Sequence, residues 1–275
     1  MSDGRAVTLS GTFVHSVARS GGAALRIEVS LPFGYEITTS GYPVVYLIDG
    51  YWYFPIVSQA VRLIGMDKEM PPVIVVGLGY ESVGLGPADE ERRIGRLRCR
   101  DLTPTHDPRE WWRIAGTEGG ESGHAEEFVR ILESTIKPLI RACYRTLDDE
   151  TLAGHSFGGL FALHVLFKHT ELFDRYVAGS PALWWHDDMM FRCEADYAAL
   201  HSDLAKALFI SIGALEESGS GAACRMVGNV RLLTERLRSR QYPALKWESV
   251  VLENETHSTG AAATFIKGLM SVFRS

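Results

Sequence analysis

No Cys-x-x-Cys pair and no close grouping of cysteine with histidine occurs in this chain of 275 residues; Cys99, Cys143, Cys193 and Cys224 stand far apart. That spacing fits neither a cysteine-ligated zinc site nor a dense disulfide framework, and the four read as free thiols of a reducing compartment. No uninterrupted apolar run approaches the roughly 20 residues that span a bilayer, and the first twelve residues have no basic start leading into an apolar stretch. The expectation is a cytoplasmic protein without a membrane partner. A basic field is lacking too: 28 Lys and Arg against 34 Asp and Glu give a net charge of −6, which argues against nucleic acid as a partner. Repeats, low-complexity tracts and convincing linkers are also missing. With 46% hydrophobic residues, the chain is expected to form one large α/β domain over residues 1–275.

What is present is a succession of two hydrophobic periods. Ala6 to Val17 and Ala23 to Leu31 alternate apolar and polar positions, which predicts two antiparallel strands with one face wet. Pro43 to Gly50 and Pro72 to Gly79 are continuous apolar runs ending in glycine, as strands buried on both faces require. Between them, Tyr53 to Ile64 carries helical spacing, giving a strand-helix-strand crossover. Tyr80 to Gly123 is rich in glycine, arginine and acids without sustained periodicity, and reads as a loop region (80–123) over the active face. A helix from Ala125 to Tyr144 follows, with Pro138 inside it as an expected kink. Strands are then expected up to His155, at Arg175–Ala178, Ala207–Ile212 and Lys246–Leu252, and helices after Ser156, around Val227–Arg240 and at Gly260–Phe273. Such alternation predicts a mainly parallel sheet covered on both faces, with antiparallel strands at its N-terminal end.

The most informative stretch is Leu152-Ala153-Gly154-His155-Ser156-Phe157-Gly158-Gly159-Leu160, a Gly-x-Ser-x-Gly turn between an apolar strand and an apolar helix. In such a turn the serine is strained and exposed, glycines allow close approach, and helix N-terminal amides stand ready for developing negative charge. Ser156 is the expected nucleophile. In this architecture the partners follow in the order acid, then histidine, at strand ends. Of nine histidines only His257 lies beyond the penultimate strand, in a polar turn before the last helix, which makes it the expected general base. The acid is expected in Ile212-Gly213-Ala214-Leu215-Glu216-Glu217, with Glu216 preferred over Glu217. His155 and His164 are assigned structural roles. Two backbone N–H groups, those of Phe157 and Tyr51, are the expected oxyanion donors.

Five segments carry a resemblance: Leu47-Ile48-Asp49-Gly50, Arg100-Asp101-Leu102-Thr103-Pro104-Thr105, the serine turn, Ser180-Pro181-Ala182-Leu183-Trp184-Trp185, and Ser211 to Glu217. In order, from about Pro43 to His257, they resemble the motifs of the putative-esterase group of α/β-hydrolases, and most of all its siderophore-esterase branch. The resemblance implies an α/β-hydrolase fold, no metal and no cofactor, and hydrolysis of a small-molecule ester or lactone through an acyl-serine. An acyltransferase with the same residues, or a binding module on an inactive hydrolase scaffold, are the alternatives.

Two further features bear on substrate. Arg92, Arg93, Arg96, Arg98 and Arg100 crowd one stretch of an acidic chain. They either bind an anionic or catecholate-like substrate, Arg96 and Arg98 being the candidates, or pair with Asp89, Glu90, Glu91 and Asp101. Likewise Tyr51, Trp52, Tyr53, Trp111, Trp112, Trp184 and Trp185 either line an aromatic cleft, with Trp52, Trp184 and Trp185 as candidate substrate contacts, or pack beneath the loops.

Overall fold

The strand Tyr42–Ile48 (β3) is buried along its whole length: Val44, Tyr46 and Ile48 enter one apolar core, and Val45 and Leu47 another. Strand side chains alternate between two faces, so a continuous apolar run is what a strand covered on both sides requires. The computed structural model describes residues 7–20, 22–108, 121–218 and 223–274.

Around β3 lies an eight-stranded sheet of order β1-β2-β4-β3-β5-β6-β7-β8. Its first strands, Thr12–Val17 (β1) and Leu25–Ser30 (β2), pair antiparallel, and β2 runs antiparallel to Ile74–Tyr80 (β4). From β4 onward all neighbours are parallel: β3, Thr146–His155 (β5), Arg175–Gly179 (β6), Ala207–Gly213 (β7) and Lys246–Leu252 (β8). One face is covered by Gly50–Met66 (α1) and Gly260–Val272 (α7), through Phe54, Val57, Val61, Phe265 and Leu269. The other face carries the larger core. This is the mainly parallel sheet with helices on both faces that the periodicities predict, and the α/β-hydrolase arrangement that the resemblance implies.

Between β4 and β5 the structure departs from expectation. Pro87–Leu102 is a helix (α2), where the sequence reads as loop. Its buried positions are Glu90, Ile94, Cys99, Asp101 and Leu102, so the inward stripe has helical spacing but is partly acidic. Apolar periodicity alone does not register such a face. The next helix (α3) runs from Ala125–Ile131 through a π-helical turn, Leu132–Ile136, into Lys137–Cys143. Pro138 therefore does not simply kink an α-helix. The wider turn directly before it accommodates a residue with no N–H to give. On the same face lie Phe157–Lys168 (α4), Trp185–Leu200 (α5) and Met226–Arg240 (α6).

Candidate active site

Ser156 sits between the last residue of β5 and the first of α4, at φ 60° and ψ −118°. Holding a side-chain-bearing residue there costs on the order of 1–3 kcal/mol and persists only where the surroundings enforce it. They do so through close packing. A Cβ on Gly154 would lie 2.2 Å from the Gly158 carbonyl oxygen, and one on Gly159 would lie 2.7 Å from that of Gly179. The turn is also bonded across the sheet: Ser156 N–H donates to Gly179 O at 2.9 Å, and Ala182 N–H donates to Ser156 O at 3.2 Å.

Two strands away, β7 ends in a 3-10 turn, Ala214–Glu217, that folds Glu216 inward and leaves Glu217 exposed. Glu216 Oε1 accepts from Ser180 Oγ at 2.7 Å and from Gly213 N–H at 2.9 Å; Oε2 accepts from His257 Nδ1 at 2.6 Å. Burial would raise this carboxyl, but the hydrogen bonds from His257 and Ser180 outweigh it and hold the group below its ordinary range. The carboxylate is thus charged and fixes the proton of His257 on Nδ1, leaving Nε2 as the basic nitrogen. The turn bearing His257 is tied to the Glu216 turn by Leu215 N–H donating to Glu255 O at 3.0 Å.

His155 links this pair to the serine. It precedes Ser156, its ring lies 4.6 Å from that of His257, and its Nε2–H donates to the His257 carbonyl at 2.8 Å. Burial, with the neighbouring His257, lowers its pKa to about 3, so the ring is neutral. A structural role was expected for it, but not this partner. Ser180 was not singled out as a site residue at all. The only signal was its place in the Ser-Pro-x-Leu-Trp-Trp segment.

Tyr51 and Phe157, the expected oxyanion donors, both lie in the first turn of a helix, where amides have no partner four residues back within the helix. The turn before Tyr51 is set by Asp49, which adopts φ 61° and accepts Trp52 and Tyr53 N–H on its carbonyl at 3.0 and 3.2 Å. Its side chain is clamped by Arg98, Nε to Oδ1 at 2.5 Å and Nη2 to Oδ2 at 2.7 Å.

The candidate substrate contacts therefore separate. Arg98 is braced by Asp49, a partner outside its own stretch, and its guanidinium lies 4.8 Å from the Trp52 ring and 5.8 Å from that of Phe157. Trp184 is half-buried with its ring 6.1 Å from that of Phe157. Trp185 is fully buried, with its indole N–H on Thr105 O at 3.1 Å; this is a core contact, made because a buried indole needs an acceptor. Arg92, Arg93 and Arg100 pair with Asp89, Glu90 and Asp101, the second of the two readings for that cluster. Arg96 is exposed and makes no ion pair among the described residues. Trp111 and Trp112 lie outside the described residues.

A mainly parallel eight-stranded sheet with this strand order, and a serine turn between β5 and its following helix, defines an α/β-hydrolase. The family model described as "Putative esterase" matches residues 19–243, and the chain belongs to that family. It is an esterase. It is 31% identical over 261 residues to the ferri-bacillibactin esterase BesA of Bacillus subtilis, covering 92% of this chain and 86% of that one. A siderophore triacetylfusarinine C esterase of Aspergillus fumigatus is 27% identical over 279 residues, with 92% and 89% covered. Among solved structures, the BES protein from Bacillus cereus superposes with a TM-score of 0.82 at 27% identity over 100% of both chains. The siderophore hydrolase EstA from Aspergillus nidulans gives 0.83 at 21% identity over 98% of both. No helix among the described residues is long and apolar enough to cross a membrane.

Proposed function

We propose that the protein cleaves carboxylic ester or lactone bonds of siderophores, using Ser156 as nucleophile, His257 as base and then acid, and Glu216 to orient it. The observation that carries this reading is the Glu216 carboxylate fixed 2.6 Å from His257 Nδ1, on the strand-end face that also holds the strained Ser156 turn. In the first step Ser156 Oγ forms a bond to the carbonyl carbon while its proton passes to His257 Nε2. The carbonyl π-pair moves onto oxygen, facing the Phe157 and Tyr51 amides. Collapse expels the alkoxide, which takes the proton from His257, and the acyl group stays on the serine. Water then repeats the sequence, its proton going to His257 and its oxygen to the acyl carbon, and Ser156 leaves with the proton restored. Glu216 stabilises the imidazolium in both halves without taking the proton.

The siderophore class is supported by the relatives' names and by two half-buried rings, Trp184 beside Phe157 and Trp52 beneath the Arg98 guanidinium, which offer flat apolar surface to a planar acyl group. Exposed Arg96 is the candidate contact for negative charge on such a substrate. The test is hydrolysis of a panel running from short acyl esters to siderophore esters and catecholate trilactones, by wild type, Ser156→Ala and His257→Ala. Each variant should lose about 10³-fold or more with the fold intact, and a fluorophosphonate should label wild type at Ser156 only. Substantial turnover by Ser156→Ala would end the serine mechanism. Preference for short esters over siderophores would end the substrate assignment alone, and transfer to an added alcohol in place of water would make the enzyme an acyltransferase.

A further inference from the structure

α4 carries the serine turn at its N-terminal end and two histidines at its other end, His164 inside the last turns and His169 as the residue that caps it. Twelve helical residues span about 18 Å, so the two ends are chemically separate. From the start of α3, Glu126 reaches both rings: its Oε1 is 2.7 Å from His164 Nε2, and its Oε2 is 3.0 Å from His169 Nε2. The ligating atoms of the three lie within 4.8 Å of one another. We infer that Glu126, His164 and His169 form a binding site for a divalent transition ion of the zinc class, remote from the esterase centre.

Zinc holds imidazole nitrogen and carboxylate oxygen at about 2.0–2.2 Å, so tetrahedral ligand atoms stand roughly 3.3 Å apart. The histidine–carboxylate spacings of 2.7 to 3.2 Å need to open by a few tenths of an ångström around an ion, and the two imidazole nitrogens, which lie within 4.8 Å of one another, need to settle at the same separation, a movement that the partly exposed His169 ring can supply. His164 and His169 are separated by four residues, within the three-to-five spacing common for histidine pairs on zinc. Two imidazoles with one carboxylate select the zinc class over magnesium or calcium, which prefer all-oxygen sets. A way in exists, because Glu126 is exposed and the His169 ring is partly so, whereas His164 is buried and supplies a fixed wall. Three protein ligands leave the fourth position to water.

One feature limits the affinity. Coordination through Nε2 puts the imidazole proton on Nδ1, and His164 Nδ1 is buried with no hydrogen-bond partner. Zinc histidines are usually backed by an acceptor at that nitrogen, and a missing one weakens binding by roughly 10–100-fold. The site is therefore of moderate strength, a clip between the start of α3 and the end of α4 that adds to stability in proportion to the free ion.

The test uses the 275-residue protein freed of metal, with exposed Cys143 and half-buried Cys224 replaced by serine so that neither accessible thiol competes. Zinc is titrated calorimetrically at pH 7.5 into this protein and into its His169→Ala and Glu126→Gln derivatives, both at positions exposed enough to tolerate change. The expected result is one equivalent bound in the parent, with Kd weakened at least about tenfold in each derivative. Melting temperature should rise with zinc over chelator in the parent only. Unchanged affinity in both derivatives, no binding in the parent, or an equal zinc effect on all three melting temperatures would overturn the assignment.

Discussion

The two oxygens of Glu216 are held to different tasks. Oε1 is anchored by Ser180 and the Gly213 amide, so Oε2 is presented to His257 without freedom to rotate away. On the proposed mechanism Glu216→Gln keeps the shape but would no longer stabilise an imidazolium, and its amide nitrogen presents a donor to a donor. kcat should fall at least about 100-fold, while Glu217→Gln, at an exposed position, should stay within about twofold. Steady-state kinetics on one soluble ester decide it; equal effects would remove Glu216 from its role. The choice between these neighbours was readable only as a count from the strand end. Ser156 and His257 stand out as candidates with more force, since a strained turn needs its glycines and only one histidine follows the penultimate strand. Ser180 and His155 were not, because their partners stand 36 and 102 residues away in sequence and nothing local marks the bond.

At the scale of elements, α2 matters most to the site, for it carries the guanidinium that clamps Asp49 at the mouth of α1. Both partners are buried or nearly so. Removing either alone strands a charge, which costs about 3–5 kcal/mol, whereas removing both leaves none unpaired. Urea denaturation of Asp49→Asn, Arg98→Met and the double variant should therefore show the double variant well short of the sum of the singles. Simple additivity would mean the pair is not coupled. This helix illustrates where reading the sequence stops. The parallel strands announce themselves as unbroken apolar runs because both their faces are dry. α2 buries Glu90 and Asp101, and what makes Asp101 tolerable inside is Arg19, Arg100 and the Tyr80 hydroxyl. Arg19 and Tyr80 come from other parts of the chain, so an acidic inward stripe looks like solvent-facing sequence until the fold is known.

For the molecule as a whole, acid is the foreseeable threat. His155 is neutral in the native state down to about pH 3, whereas a histidine in the unfolded chain takes up its proton near 6.5. Its contribution is complete above 6.5 and is lost as pH falls through the window from 6.5 towards 3, at up to about 1.4 kcal/mol per unit. Between pH 7.5 and 5.5, wild type should lose about 1.4 kcal/mol more unfolding free energy than His155→Gln, by urea titration. Equal losses would show that the native ring accepts the proton. The serine turn has a consequence of another kind, for heat. Glycine occupies φ 60° without collision, and the relief of about 1–3 kcal/mol exceeds the 0.5–1 kcal/mol of extra chain entropy it brings. Ser156→Gly should raise Tm by about 2–4 °C, and Ser156→Ala, which keeps the Cβ, should leave it near wild type. On the proposed mechanism the relaxed turn is also one that cannot react, so the strain that serves turnover is carried as lost heat resistance.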